Sequence, residues 1–90
     1  MAELNVAAKV RVMPEGVDVD LDEIQKKIGV VVQAFGKVYS SEVKPVAFGL
    51  NSLELTFLLS DAQGGLEEIE NKVSLIEGVS DFSVLEVTRL

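Results

Sequence analysis

Ninety residues, 48% of them apolar, bound the chain to a single domain, residues 1–90, with enough apolar material for a core. There is no cysteine and no histidine, which excludes disulfides, thiolate chemistry, Cys- or His-based metal sites and the commonest general base. Fifteen acids against eight bases leave a net charge of −7 at pH 7, the wrong sign for a phosphate-backbone binder and a fit for a basic protein surface.

Leu4, Val6, Ala8, Val10 and Val12 alternate with Glu3, Asn5, Ala7, Lys9 and Arg11, which predicts a first strand with one buried face. Met13-Pro14-Glu15-Gly16 ends it with turn chemistry. In the acidic run Val17-Asp18-Val19-Asp20, Asp20 with Glu23 three residues on has capping-box spacing. A helix near residues 20–34 follows, with Leu21, Ile24, Ile28, Val31 and Phe35 on one face. Gly29 and the β-branched run Val30-Val31-Val32 weaken its second half, and Gly36 reads as its C-cap.

Lys37 to Lys44 predicts a second, charged strand of the kind that suits a sheet edge. Pro45 fixes φ and lacks a backbone donor, so Pro45 to Gly49 is not expected mid-sheet, while Gly49 permits positive φ. Between them Phe48 has two readings: an aromatic projecting from a constrained loop, or one that plugs the end of the core. From Leu53 the alternation is clean again, with Leu53, Leu55, Phe57 and Leu59 opposite Glu54 and Thr56. Asp61-Ala62-Gln63-Gly64-Gly65 is a loop, and Leu66, Ile69, Val73 and Ile76 mark a second helix near residues 65–77, ended by Gly78.

Val79 to Leu90 is the last strand, with Phe82 and Val84 in one phase and Leu85 and Val87 in the other. A bulge explains this, and so does an edge position with both faces partly covered. The order β-α-β-β-α-β predicts an α+β fold: a ferredoxin-like split β-α-β sandwich, with a four-stranded antiparallel sheet and both helices on one face. The strand order expected is fourth, first, third, second, with the two cleanest alternations central. No apolar run approaches the ~18 residues of a membrane span and the N-terminus does not read as a signal peptide, so no membrane role and a cytoplasmic location are expected.

Three features could carry chemistry. Gln63-Gly64-Gly65 before a helix could hold an anion on backbone amides. No Lys or Ser/Thr follows it, and the neighbouring acids repel phosphate, so it reads as a strand-to-helix turn. The acid groups Asp18/Asp20/Asp22/Glu23 and Glu67/Glu68/Glu70 lack the spacing of a calcium loop and read as solvated helix starts. No catalytic, cofactor-binding or metal-ligating set is assigned. Arg89, one residue from the C-terminus, supports nothing alone, since a terminal Arg is usually a mobile surface charge.

Pro45-Val46-Ala47-Phe48-Gly49-Leu50, the alternating strand after it, Ser60-Asp61 with a glycine-containing acidic helix start, and the closing Val87-Thr88-Arg89-Leu90 resemble the translation elongation factor 1-beta family. Val10-Arg11-Val12-Met13-Pro14 and Ile76-Glu77-Gly78-Val79 fit the resemblance too. It covers essentially the whole chain and corresponds to the guanine-nucleotide-exchange domain alone, as in archaeal members. It implies an exchange factor that promotes replacement of GDP by GTP on elongation factor 1-alpha, with no chemical catalysis and no direct nucleic-acid contact. In the eukaryotic factor a lysine just before the C-terminal residue enters the partner's magnesium site, and an aromatic of the Pro-x-x-Phe-Gly segment contacts the partner. The matching positions are Arg89 and Phe48, so the resemblance implies partner binding through Phe48, Arg89, Pro45, Gly49 and Leu90. Arg89 departs from the family's lysine: it keeps the charge but is larger and planar. Exchange requires neither a nucleophile nor a general base, which suits this composition. The alternative function is a small-molecule-binding regulatory domain of the same ferredoxin-like fold, because topology alone does not separate the two.

Overall fold

The computed structural model describes residues 4–60 and 65–90. These form β1 (Val6–Pro14), α1 (Leu21–Gln33), β2 (Gly36–Pro45), β3 (Asn51–Leu59), α2 (Leu66–Ser74) and β4 (Val79–Arg89). The strands make one antiparallel sheet in the order β2-β3-β1-β4. This is the expected order and fold class, with β1 and β3 central. The loop read at Asp61-Ala62-Gln63-Gly64 lies outside the described residues.

The period-two alternation of β1 and β3 sends one set of side chains under the helices. Ala8, Val10 and Val12 of β1 and Leu53, Leu55, Phe57 and Leu59 of β3 are buried, and Glu54 and Thr56 between them are only partly covered. Ile24, Ile28 and Val32 of α1, Ile69 and Val73 of α2 and Phe82 of β4 complete the core. The buried row of α1 steps by four residues, so Val32 rather than Val31 reaches the centre; Leu21, Val31 and Phe35 pack at its margin. The opposite sheet face carries a Lys9–Glu54 ion pair at 3.8 Å across β1 and β3. It is a surface contact of at most about 1 kcal/mol, so the fold rests on the apolar face.

Asp20 caps α1: its Oδ1 accepts from the backbone N–H groups of Asp22 (3.0 Å) and Glu23 (3.4 Å), using two donors the first turn leaves unpaired. The far end of α1 departs from expectation. Gly36 is not its C-cap, a place taken by Ala34; Gly36 opens β2 opposite Leu59. A Cβ built at Gly36 would run into the Leu58 carbonyl. The glycine is there for close backbone approach, not for a helix stop. α2 ends at Ser74, short of residue 77, because Leu75 and Ile76 close onto Lys72 and Val73 by i→i+3 bonds and Gly78 follows at φ 96°.

The bulge explains the irregular β4; Val84, Leu85 and Val87 are all exposed, so cover on both faces does not. β4 is an edge strand, and its register against β1 shifts between Lys9/Val10 and Met13/Pro14. Glu86 pairs with Lys9 and Val84 with Val10, leaving Leu85 as the extra residue. The phase change between Val84 and Val87 follows from that insertion. β2, the other edge, shifts register at Tyr39 and is exposed from Tyr39 to Pro45, as its charged sequence predicts.

Candidate functional site

Pro45 is the last residue of edge strand β2, opposite Asn51, where a missing donor does no harm. Beyond it the Val46 N–H donates to the Leu50 carbonyl (2.8 Å) and the Leu50 N–H to the Ala47 carbonyl (3.1 Å). Phe48 and Gly49 are the two central residues of this turn, at φ 58° and 79°. Positive φ at both central positions of the Ala47–Leu50 turn is the type I′ pattern, which favours Gly, Asn or Asp there. Phe48 occupies the first position and is the sole non-glycine with positive φ among the described residues. Its side chain is 98% exposed. The core-plug reading of Phe48 is therefore wrong: the backbone turns the ring away from the core and into solvent.

An L-residue in this region costs about 1–2 kcal/mol, and nothing in the core offsets that here. Such outliers point to function when the surrounding fold does not need them. At the same end of the sheet Val46 and Val17 are also exposed, at 53% and 69%. Val17 belongs to the β1–α1 connection, which lies at the same end of the sheet, and its Cγ1 stands 3.9 Å from where a Cβ on Gly49 would lie. The sequence reading did not single out Val17. The available signal was its place one residue before Asp18 in a run whose second valine, Val19, packs against the core.

Arg89 and Leu90 lie elsewhere. Arg89 pairs with Val6, on the rung that continues through Leu59 to Gly36. The Leu90 N–H donates to the Asn5 carbonyl at 2.8 Å, so the terminus is tied into the sheet and the exposed Arg89 side chain starts from a fixed backbone. From Leu59 to Asn51, eight residues along β3 separate this rung from the hairpin, roughly 26 Å at about 3.3 Å per residue. The five residues expected in the site thus form two groups, Pro45, Phe48 and Gly49 at one end of the sheet and Arg89 and Leu90 at the other. The molecule measures 42 × 21 × 17 Å, and the two groups span much of its long axis.

Among the described residues no group of three or more Asp or Glu is placed to hold a metal ion, and no helix is long and apolar enough to cross a membrane. A depression between α1 and β2 is lined by Asp22, Gln25, Lys26, Gly29 and Val38, and Gln25 Nε2 donates to Ser41 Oγ beside it at 2.8 Å. It includes none of the five residues.

The sequence matches the family described as the EF-1 guanine nucleotide exchange domain over residues 7–90. It is 40% identical over 84 residues to "Elongation factor 1-beta" of Methanococcoides burtonii, covering 93% of this chain and 94% of that one. It is 40% identical over 86 residues to the protein of the same name from Methanothermobacter thermautotrophicus, covering 96% and 97%. Among solved structures, the ACT domain of GTP pyrophosphokinase from Chlorobium tepidum superposes with a TM-score of 0.63 at 17% identity, covering 90% of this chain and 99% of that domain. At that identity the likeness concerns the fold alone.

Proposed function

This chain belongs to the EF-1 guanine nucleotide exchange domain family, and from that premise we propose that it promotes exchange of GDP for GTP on elongation factor 1-alpha, docking through Phe48 and acting on the nucleotide site through Arg89. The observation that carries the reading is Phe48: an aromatic ring almost fully in solvent, held at positive φ on a hairpin tip where glycine or asparagine would be less strained. Truncating it removes apolar contact area from a partner and none from the core.

The division into two ends suits exchange. Contacts at the hairpin supply affinity that does not depend on the state of the nucleotide. A cation at the other end, on a tethered strand terminus, competes with magnesium for the phosphate oxygens and weakens nucleotide binding. No bond is made or broken in this chain, so its role is differential binding rather than chemical catalysis. Affinity for the two forms of the GTPase must then be linked: the factor by which this chain lowers GDP affinity equals the factor by which GDP lowers affinity for this chain. Titration of nucleotide-free and GDP-loaded elongation factor 1-alpha with the chain tests this. The reading expects tighter binding to the nucleotide-free form; equal affinity for both rejects it. The regulatory-domain alternative rests on topology alone.

A further inference from the structure

We propose that Val17, on the β1–α1 connection, is a second apolar anchor of the Phe48 docking end, and that both enter an apolar recess with a basic rim on the GTPase partner. The inference rests on the reading that the hairpin tip docks that partner.

The connection is short, acidic and pinned. Glu15 N–H donates to the Gly78 carbonyl at 2.8 Å, Val19 N–H to the Gly16 carbonyl at 3.4 Å, and Asp20 caps α1. Val19 packs against the core, and its Cγ1 stands 3.0 Å from where a Cβ on Gly78 would lie. Val17 between these fixed points is 69% exposed and lies beside Gly49. A β-branched valine has a single, restricted side-chain torsion, so it loses little freedom on binding. Phe48 is in the turn and Val17, from a different element, lies beside the next turn residue, Gly49, so a partner that receives Phe48 also meets Val17.

The surroundings indicate the partner's charge. Between Val12 and Gln25 the chain has five acids, Glu15, Asp18, Asp20, Asp22 and Glu23, and no Lys or Arg. Glu15 and Asp18 bracket Val17 and are exposed. An apolar anchor rimmed by carboxylates matches an apolar recess rimmed by Lys or Arg, and the opposite charges speed encounter.

The test uses Val17→Thr, which keeps the shape and β-branching but replaces a methyl with a hydroxyl, together with Val17→Ala, Val17→Ile, Phe48→Ala and the Val17→Thr/Phe48→Ala double variant. Binding to nucleotide-free elongation factor 1-alpha and the melting temperature are measured for each. Val17→Thr should weaken binding about fivefold with an unchanged melting temperature, a moderate loss for an anchor truncation. Val17→Ile, which keeps the apolar surface, should retain more affinity than Val17→Thr. The double variant should lose less than the product of the two single losses, because the residues share one recess. If Val17→Ala lowers the melting temperature, Val17→Thr decides the question. Binding that is unchanged in Val17→Thr but weakened in Phe48→Ala overturns this inference and leaves the docking role of Phe48 standing. Unchanged binding in both overturns the two together. Asp18→Asn and Glu15→Gln should slow association at low salt only; association indifferent to both substitutions and to salt would overturn the basic rim.

Discussion

Phe48 and Gly49 share the turn of the β2–β3 hairpin, at φ 58° and 79°, yet only one of them is a residue suited to that backbone. Gly49 meets the demand without steric cost, whereas Phe48 meets it against the clash between its Cβ and the following carbonyl. The fold gains no burial in return, because the ring is 98% exposed. Stability and the docking role proposed for Phe48 therefore pull this position in opposite directions.

Phe48→Asn separates them. Asn tolerates positive φ and suits the first central position of this turn, so thermal or denaturant unfolding should show stability maintained or raised by up to about 1 kcal/mol. Binding to elongation factor 1-alpha should fall in the same protein. A loss of several kcal/mol in stability, as for a buried Phe, would contradict the exposed position.

Gly36→Ala tests the close approach at the start of β2. The added Cβ meets a backbone carbonyl, that of Leu58, and a carbonyl in a paired central strand cannot swing aside. The expected cost is about 2 kcal/mol or more, within the range for overpacking, read as a lower midpoint in denaturant. Gly29→Ala is the control. A Cβ there meets nothing within 4 Å, and the helix should gain up to about 1 kcal/mol.

The core was legible because it depends on local periodicity. The alternation from Leu53 to Leu59 names its own buried face, and Asp20 ahead of Asp22 and Glu23 announces the cap it makes. What was not legible depends on partners far away in the sequence. Gly36 looks like a helix stop until Leu58 is placed beside it. The mixed phase of β4 resolves only once pairing with β1 makes Leu85 the extra residue. Phe48 and Arg89 could each be named from the motif, but their separation is set by the register of three strands. Val17 does not stand out in the acidic approach to α1, and only the contact of Val19 beneath Gly78 shows which valine is anchored.

No metal should be needed for folding. The chain has no Cys or His, and the described acids form no ligand group. Chelator should leave the melting temperature unchanged, and a clear fall would point to a bound ion in the native state.

Arg89→Ala should change stability by no more than about 0.5 kcal/mol, the usual range for an exposed site, because β4 keeps its pairing with Val6 through the backbone. It should nevertheless slow GDP release from elongation factor 1-alpha. Arg89→Lys should retain activity, since a compact ammonium serves as well as a guanidinium at a site that reads charge. The deficit of Arg89→Ala should narrow as magnesium is withdrawn. A deficit that persists without magnesium would place the action of Arg89 away from the metal.

The most direct measurement is the release of fluorescent GDP from elongation factor 1-alpha, followed by stopped flow in excess unlabelled GTP at fixed magnesium while this chain is titrated. The release rate should rise with chain concentration and saturate, with Phe48→Ala shifting the half-saturation point upward and Arg89→Ala lowering the plateau. A release rate equal to the intrinsic rate at every concentration of wild-type chain would contradict the account.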